Sequence, residues 1–337
     1  MDEMFKEHPL EGWRAALTRL EGAYADNTVR GYRSDFARFE GWCKSEGLRW
    51  TPAAPSTIAQ FIQADAALSA SSTLKRRLAA IRKVHLLLDL PSPLESESVR
   101  LAYRAALRSK RRRPQQAAGL TAVLRDQLMA ACRPGLLGLR DRALIAVGYD
   151  TLCRRTELVS LLTEDMVKFP SGAARILVRR AKTDPFGDGR WGHLGPRAFA
   201  AAKTWLEAAG IESGPLFRPL HQGRVIDDHL HAVVVNRTLK LAAIKAGLPS
   251  SIVRGLSGHS MRVGAAQDLV GAGCDLMQIM TAGGWTSINV VAGYARDANF
   301  NIWTRSNACE ADFSNAFNAG SIASQVSEAL MSDGGEF

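Results

Sequence analysis

Cysteine is scarce in this 337-residue chain: five residues, at 43, 132, 153, 274 and 309, with no C-x-x-C pair. That spacing excludes a dense disulfide framework and a thiolate zinc site, and it fits reduced thiols in a cytoplasm. Long hydrophobic runs are missing too. No apolar stretch approaches the ~20 residues of a membrane-spanning helix. The first ten residues, MDEMFKEHPL, are charged where a secretory leader would be apolar. Acidic residues are the minority: 33 Asp and Glu stand against 43 Lys and Arg, a formal net charge of +10. Hydrophobic residues nevertheless make up 46% of the chain, which excludes a disordered polyelectrolyte. The length suits two domains.

Such a charge balance points to a polyanion partner, nucleic acid above all. Residues 1–118 hold 20 basic against 13 acidic side chains, and residues 119–296 hold 22 against 14. Residues 297–337 reverse the sign, with one basic and six acidic. Two basic bodies able to share one polyanion are thus followed by an acidic tail better suited to contacting protein.

The first hundred residues read as helices. Asp26-Asn27-Thr28 offers an N-cap, followed by Val29, Tyr32, Phe36, Phe39 and Trp42 at helical spacing. Arg30, Arg33 and Arg38 lie mostly away from that stripe. A second helix starts near Ser71-Ser72-Thr73, with Leu74, Leu78, Ile81 and His85 on its apolar face and Lys75, Arg76, Arg77, Arg82 and Lys83 around the rest. Each basic helix alone reads as a solvated face; two in one small domain favour DNA contact. The run Ser109-Lys110-Arg111-Arg112-Arg113-Pro114 marks a basic linker. Beyond it, helices are expected from Thr121 to about Cys132 and from Gly138 to Leu162. Strands follow at Arg175–Ala181 and Arg190–Leu194 about an Asp-Pro…Gly turn, then helices near 196–209, 227–246, 260–272 and 287–295.

Six side chains recur where phosphate chemistry wants them: Arg154 in TLCRRTEL, Lys182 in RRAKTD, His259 and Arg262 in SGHSMR, Trp285 after two glycines, and Tyr294 in VVAGYAR. Attack on a phosphodiester builds charge on the non-bridging oxygens, which arginine forks hold bidentately. A histidine and an indole N–H add donors and help manage protons. A lysine on a hairpin can protonate the leaving oxygen, and tyrosine is long enough to attack phosphorus and conserve the bond energy covalently. Alone, each has a plainer reading: a hydrogen-bonded structural histidine, a solvated turn lysine, a core tryptophan, a core tyrosine with its hydroxyl at the surface. Glu157, three residues after Arg154, reads as a support for that arginine. The weight lies in the set and its order.

The run SGHSMRVGAAQDLVGAGCDLMQIMTAGGWTSINVVAGY, Ser257 to Tyr294, resembles the tyrosine recombinase (phage integrase) family, including the 26 residues from His259 to Trp285 and nine more to Tyr294. TLCRRTEL resembles the family's first-arginine box, and RILVRRAKTD its hairpin-lysine strand. NTVRGYRSDFARFEGWCKS and SSTLKRRLAAIRKVH resemble its core-binding helices more loosely. The resemblance implies a mainly α protein. Its parts would be a helical core-type DNA-binding domain over 1–112, a basic linker over 113–120, an α+β catalytic domain with a small antiparallel sheet over 121–298, and an acidic tail over 299–337 that docks subunits. It implies that Arg154 and Arg262 clamp the scissile phosphate, that His259 and Trp285 complete the pocket, that Lys182 is the general acid, that Glu157 supports the site, and that Tyr294 forms a 3′-phosphotyrosine. No metal and no cofactor are expected.

The implied partners are double-stranded DNA with an inverted-repeat site and the protein itself, as a tetramer exchanging strands through a Holliday junction. The location is cytoplasmic, on the nucleoid when bound. Candidate DNA-binding residues are Arg30, Arg33, Ser72, Lys75 and Arg76 in the first domain and Arg111 and Arg112 in the linker. The helix expected at 227–246 adds Asp228, His229 and His231; its aspartates could equally cap that helix. Gly31 implies close approach without side-chain readout. The 43 residues after Tyr294 exceed what the resemblance leads one to expect, and docking in trans or in cis stays open. Integration, dimer resolution and hairpin-telomere formation share this chemistry; the want of an extra N-terminal domain argues against dependence on distant arm sites. Two readings from other classes remain: a non-catalytic DNA-binding scaffold, and a type IB topoisomerase-like nicking-closing enzyme.

Overall fold

The computed structural model describes residues 12–109, 116–179 and 188–295. The chain divides into two units, Met1–Gln115 and Gln116–Phe337. Among the described residues no helix is long and apolar enough to cross a membrane.

The first unit is helical: α1 (Gly12–Thr18), α2 (Asp26–Ser45), α3 (Pro55–Leu68), α4 (Ser71–Leu87) and α5 (Glu97–Ser109). Its core is a chain of aromatic rings, Trp13–Phe36–Phe39–Phe61, with successive centroids 4.9, 5.8 and 5.0 Å apart. Val29, Phe36, Phe39 and Cys43 of α2 face Leu74, Leu78, Ile81 and Val84 of α4 across it. Tyr32 and Trp42, expected in the stripe, pack at its margin. Asp26 does not cap α2. Ala25 holds the cap position, without a side-chain bond, and Asp26 opens the first turn.

His85 sits in this core, fully buried. Its Nε2 accepts the Ala53 N–H (3.0 Å) and its Nδ1 donates to the Ile81 carbonyl (2.8 Å). Burial holds the imidazole below its ordinary value, although the Ile81 carbonyl works against it. The folded state therefore refuses a proton that the unfolded chain accepts once pH drops below ~6.5. Stability is complete above that value and declines as pH falls through it. His85→Leu should flatten this decline in thermal melts taken between neutral and mildly acidic pH; an unchanged slope would show that His85 is not its source.

The second unit holds α6 (Ala122–Ala130), α7 (Leu136–Asp150), α8 (Arg155–Val159), β1 (Met166–Lys168), β2 (Ala174–Val178), β3 (Arg190–Leu194), α9 (Pro196–Ala209), β4 (Leu220–His221), β5 (Arg224–Val225), α10 (Val233–Lys245), α11 (Ser250–Gly255), α12 (Ser260–Gly271), α13 (Leu276–Gly283) and α14 (Ile288–Ala295). β1, β2 and β3 form an antiparallel sheet in that order, with Ile176 facing Gly192; β4 and β5 form a separate hairpin. The main core lies between the sheet and α7, α9 and α10. A smaller apolar cluster, including Tyr149, Leu152, Ala265, Ile279, Trp285 and Val291, lies under α12, α13 and α14.

Two expectations are corrected. The helix expected from Gly138 to Leu162 is broken at residues 151–154, where Leu152 adopts a left-handed conformation (φ 50°). The helix expected from 227 begins at Val233, because the preceding polar side chains brace a loop instead. Arg218 holds Asp227 (2.6 Å), Asp228 accepts the His229 N–H (2.6 Å), and His231 Nδ1 accepts the Val233 N–H (3.2 Å). The strand expected at 175–181 runs from Ala174 to Val178, and residues 180–187 lie outside the described part.

Candidate active site

The break between α7 and α8 creates the first part of the site. Arg154 is the N-cap of α8. Glu157 Oε2 accepts the Arg154 backbone N–H (3.0 Å), and Oε1 accepts from Arg154 Nη1 (2.5 Å). One carboxylate thus closes the helix end and fixes the guanidinium it supports. Burial pulls the Glu157 carboxyl upward, but bonds from Arg154 and the charges of Arg154 and Arg190 outweigh it and hold the group below its ordinary value. The Arg154 side chain remains 25% exposed, open to a ligand.

Helix α12 supplies the second part. Arg262 is only 1% exposed. Its Nη1 donates to the carbonyl of the left-handed Leu152 (2.5 Å), so the strained turn beside Arg154 also positions Arg262. Its guanidinium lies 4.1 Å from the Trp285 ring centroid, and its Nη2 is buried without a hydrogen-bond partner. Burial, then the nearby Arg154 charge, push its pKa down to about 10, so it is cationic at neutral pH. His259, one residue before α12, lies 2.9 Å from the Tyr294 hydroxyl through Nε2. Crowding by protein lowers the imidazole's pKa, and Arg262 and Arg154 lower it further. Ring surface still meets solvent, so the two cations are the firmer cause.

The two glycines before Trp285 have separate functions. A Cβ on Gly283 would collide with the Trp285 ring. Gly284 takes the left-handed C-cap position of α13 (φ 60°), and a Cβ there would fall 2.8 Å from Arg190 Cδ. The turn aims Trp285 between Arg262 and Tyr294, whose ring centroid lies 5.6 Å away. Tyr294, on α14, is half-buried and meets His259 with centroids 5.7 Å apart.

Direct contacts join Arg154 to Glu157 and join His259, Arg262, Trp285 and Tyr294 to one another, and the Leu152 turn and Arg190 bridge the two sets. Lys182 lies outside the described residues. Sequence reasoning missed Arg190. Its signal was a lone charge on the inward face of β3, in register with buried Gly192 and Leu194. Arg154 and Arg190 share the Glu157 carboxylate, Arg262 bonds no carboxylate, and among the described residues no other acid is paired with the three, so the pocket is built for an anion. Among the described residues, no cluster of three or more His, Cys, Asp or Glu could hold a metal ion.

The DNA-binding candidates are placed less uniformly. Arg30, Arg33, Ser72, Lys75 and Arg76 are all exposed on α2 and α4. Arg30 bonds Asn27 (3.1 Å), and Arg33 reaches Glu21 (3.8 Å). Arg76 is bound bidentately to buried Asp35, at 2.6 and 2.9 Å, which orients it rigidly. A Cβ on Gly31 would meet nothing, so that stretch of α2 is open to close approach. Asp228, His229 and His231 sit in the loop before α10, with His229 Nδ1 3.2 Å from the Val159 carbonyl. Arg111, Arg112 and the tail lie outside the described residues.

Residues 120–300 match the model of the phage integrase family, and residues 10–88 match the phage integrase N-terminal SAM-like domain. An integrase/recombinase xerD homolog of Selenomonas ruminantium is 30% identical over 302 residues, covering 84% of this chain and 85% of that protein. Recombinase cre of Escherichia phage P1 is 26% identical over 298 residues, covering 83% and 87%. Among solved structures, the Tn1549 transposon integrase in complex with circular intermediate DNA aligns with TM-score 0.61 at 15% identity, covering 88% of this chain and 98% of that one. A lambda integrase dimer bound to a core site aligns with TM-score 0.59 at 14% identity, covering 87% and 79%. At these identities the structural matches show a shared fold.

Proposed function

This chain belongs to the phage integrase family and is a tyrosine site-specific recombinase, and from that premise we propose how its residues divide the cutting and rejoining of DNA strands. Tyr294 Oη attacks the scissile phosphorus, giving a 3′-phosphotyrosine and freeing the 5′ oxygen. His259 Nε2 accepts the phenolic proton. Arg154 and Arg262 hold the non-bridging oxygens, and the Trp285 indole N–H adds a donor. Glu157 fixes Arg154. Lys182 gives the 5′ oxygen its proton. The observation that carries this reading is the His259–Tyr294 contact of 2.9 Å beside an arginine with an unpartnered buried donor.

Arg30, Arg33, Ser72, Lys75 and Arg76 would contact the first half-site; Arg111, Arg112, Asp228, His229 and His231 are the remaining DNA contacts in this reading. Two protomers would occupy each inverted-repeat site, and four would exchange strands through a Holliday junction. The acidic tail would dock on a neighbouring subunit.

The test is a denaturing gel after incubating the protein with a library of duplexes containing randomised inverted half-sites. A covalent adduct whose digest places the nucleotide on the Tyr294 peptide is expected, and sequencing it identifies the site. Tight DNA binding without an adduct would favour the scaffold reading. Relaxation of any supercoiled plasmid, regardless of sequence, would favour the topoisomerase-like one.

Lys182→Ala should slow cleavage of ordinary DNA by ~10²–10⁴-fold, the usual range for general acid catalysis. A bridging sulfur at the 5′ leaving position should restore most of the rate, because a thiolate leaves without a proton. An equal defect on both substrates would remove Lys182 from the acid's role.

A further inference from the structure

We infer that Arg190 is a positioning residue for phosphodiester cleavage, locking the turn that presents Arg154 to the turn that presents Trp285; this rests on the proposed reading of the site. Arg190 opens β3, and its side chain is 10% exposed. Its Nη1 donates to the Thr151 carbonyl (3.0 Å) and the Ala282 carbonyl (2.7 Å). Its Nη2 reaches Cys153 Sγ and Glu157 Oε2, both at 3.4 Å. The partners are 39 and 92 residues away in sequence at the two carbonyls. They are not arbitrary core atoms. Thr151 and Cys153 flank the left-handed Leu152, whose own carbonyl holds Arg262. Ala282 immediately precedes the Gly-Gly turn that aims Trp285.

The fold has made room for this fork. β3 approaches Thr151 so closely that a Cβ on Gly192 would lie 2.9 Å from Thr151 Cβ, and the left-handed Gly284 clears the Arg190 Cδ. One nitrogen bridges the two carbonyls while the second turns to Cys153 and Glu157. A lysine would retain the charge but has a single nitrogen to serve both sets. Small displacements of the groups around phosphorus are costly: about 1 Å of misplacement can lose on the order of 100-fold in rate.

The experiment compares wild type, Arg190→Gln, Arg190→Lys and Lys182→Ala on nicked duplexes carrying the site sequenced from the wild-type adduct, with oxygen or bridging sulfur at the 5′ leaving position. Arg190→Gln is expected to cleave about 100-fold more slowly on both substrates, with unchanged DNA affinity. Arg190→Lys should be slowed on both to a lesser degree, while the Lys182→Ala defect is relieved by sulfur. Wild-type cleavage rates in Arg190→Gln would overturn the inference. So would rescue of Arg190→Gln by sulfur, which would place the residue's effect on the lysine hairpin. Thermal melts accompany the rates: if Arg190→Gln unfolds, Arg190→Lys carries the test, and unfolding of both makes the residue a structural one and the inference false. Absence of any adduct from wild type would instead overturn the proposed function.

Discussion

Tyr294→Phe should bind DNA as the wild type does and yield no covalent adduct, a loss on the order of a million-fold, as expected when a covalent nucleophile is removed. The substitution takes away one oxygen. The ring still fills the space between His259 and Trp285, so the fold forfeits only the hydroxyl's bond to His259, about 0.5–1.5 kcal/mol. A melting temperature near the wild type's, together with intact binding, would assign the lost adduct to chemistry. An adduct of undiminished yield would require another nucleophile. The same contact sets a pH dependence. His259 accepts the phenolic proton only when neutral, and its pKa is held below the ordinary imidazole value. Wild-type cleavage should therefore persist at pH values where a free imidazole is already charged, and fail only below them.

The parts of the site that were legible in the sequence are those whose residue types have few alternative uses. Histidine, arginine, tryptophan and tyrosine at fixed intervals placed the pocket on α12, α13 and α14, and β3 was readable from its turn and its length. Leu152 was not readable. No Gly or Asn marks its left-handed conformation; tertiary bonds hold it there, with the Thr151 and Leu152 carbonyls taken by Arg190 and Arg262. Without that turn the segment from 138 to 162 passes for one continuous helix. Arg190 was hidden because an arginine after a Gly-rich turn reads as solvated until its partners, distant in sequence, are known. The loop before α10 failed for the opposite reason. Asp and His look like ideal cap and groove residues locally, while Arg218 and the Val159 carbonyl claim Asp227 and His229 across the fold. Helix α5 was not delimited, although Val99, Ala102, Tyr103 and Ala106 pack inward at helical spacing.

Arg262→Ala should be the most damaging change among the phosphate-holding residues, slowing adduct formation by about 10³-fold or more, as loss of a preorganised donor does. Arg154 already has a protein carboxylate bonded to its side chain, whereas Arg262 has none. Its bonds are one backbone carbonyl and the face of an indole, and one nitrogen is left with nothing to donate to. A buried donor without a partner costs about 1–3 kcal/mol; a phosphate oxygen at that nitrogen would recover it, which makes the arginine complementary to the charge that develops at phosphorus. Truncation also strips the Leu152 carbonyl of its donor, so some loss of stability must accompany the loss of rate. Arg262→Lys separates the two effects. A lysine retains the charge, but its single ammonium cannot serve Leu152 and phosphate in the geometry of a fork. It should therefore recover much of the melting temperature and little of the cleavage rate. Single-turnover cleavage of a nicked substrate, measured beside thermal melts, decides the matter. If Arg262→Lys cleaves nearly as fast as wild type, the fork is unnecessary and Arg262 acts as a bulk charge. If rate and stability fall in proportion across both variants, the arginine holds the turn at Leu152 and Arg154 carries the phosphate alone.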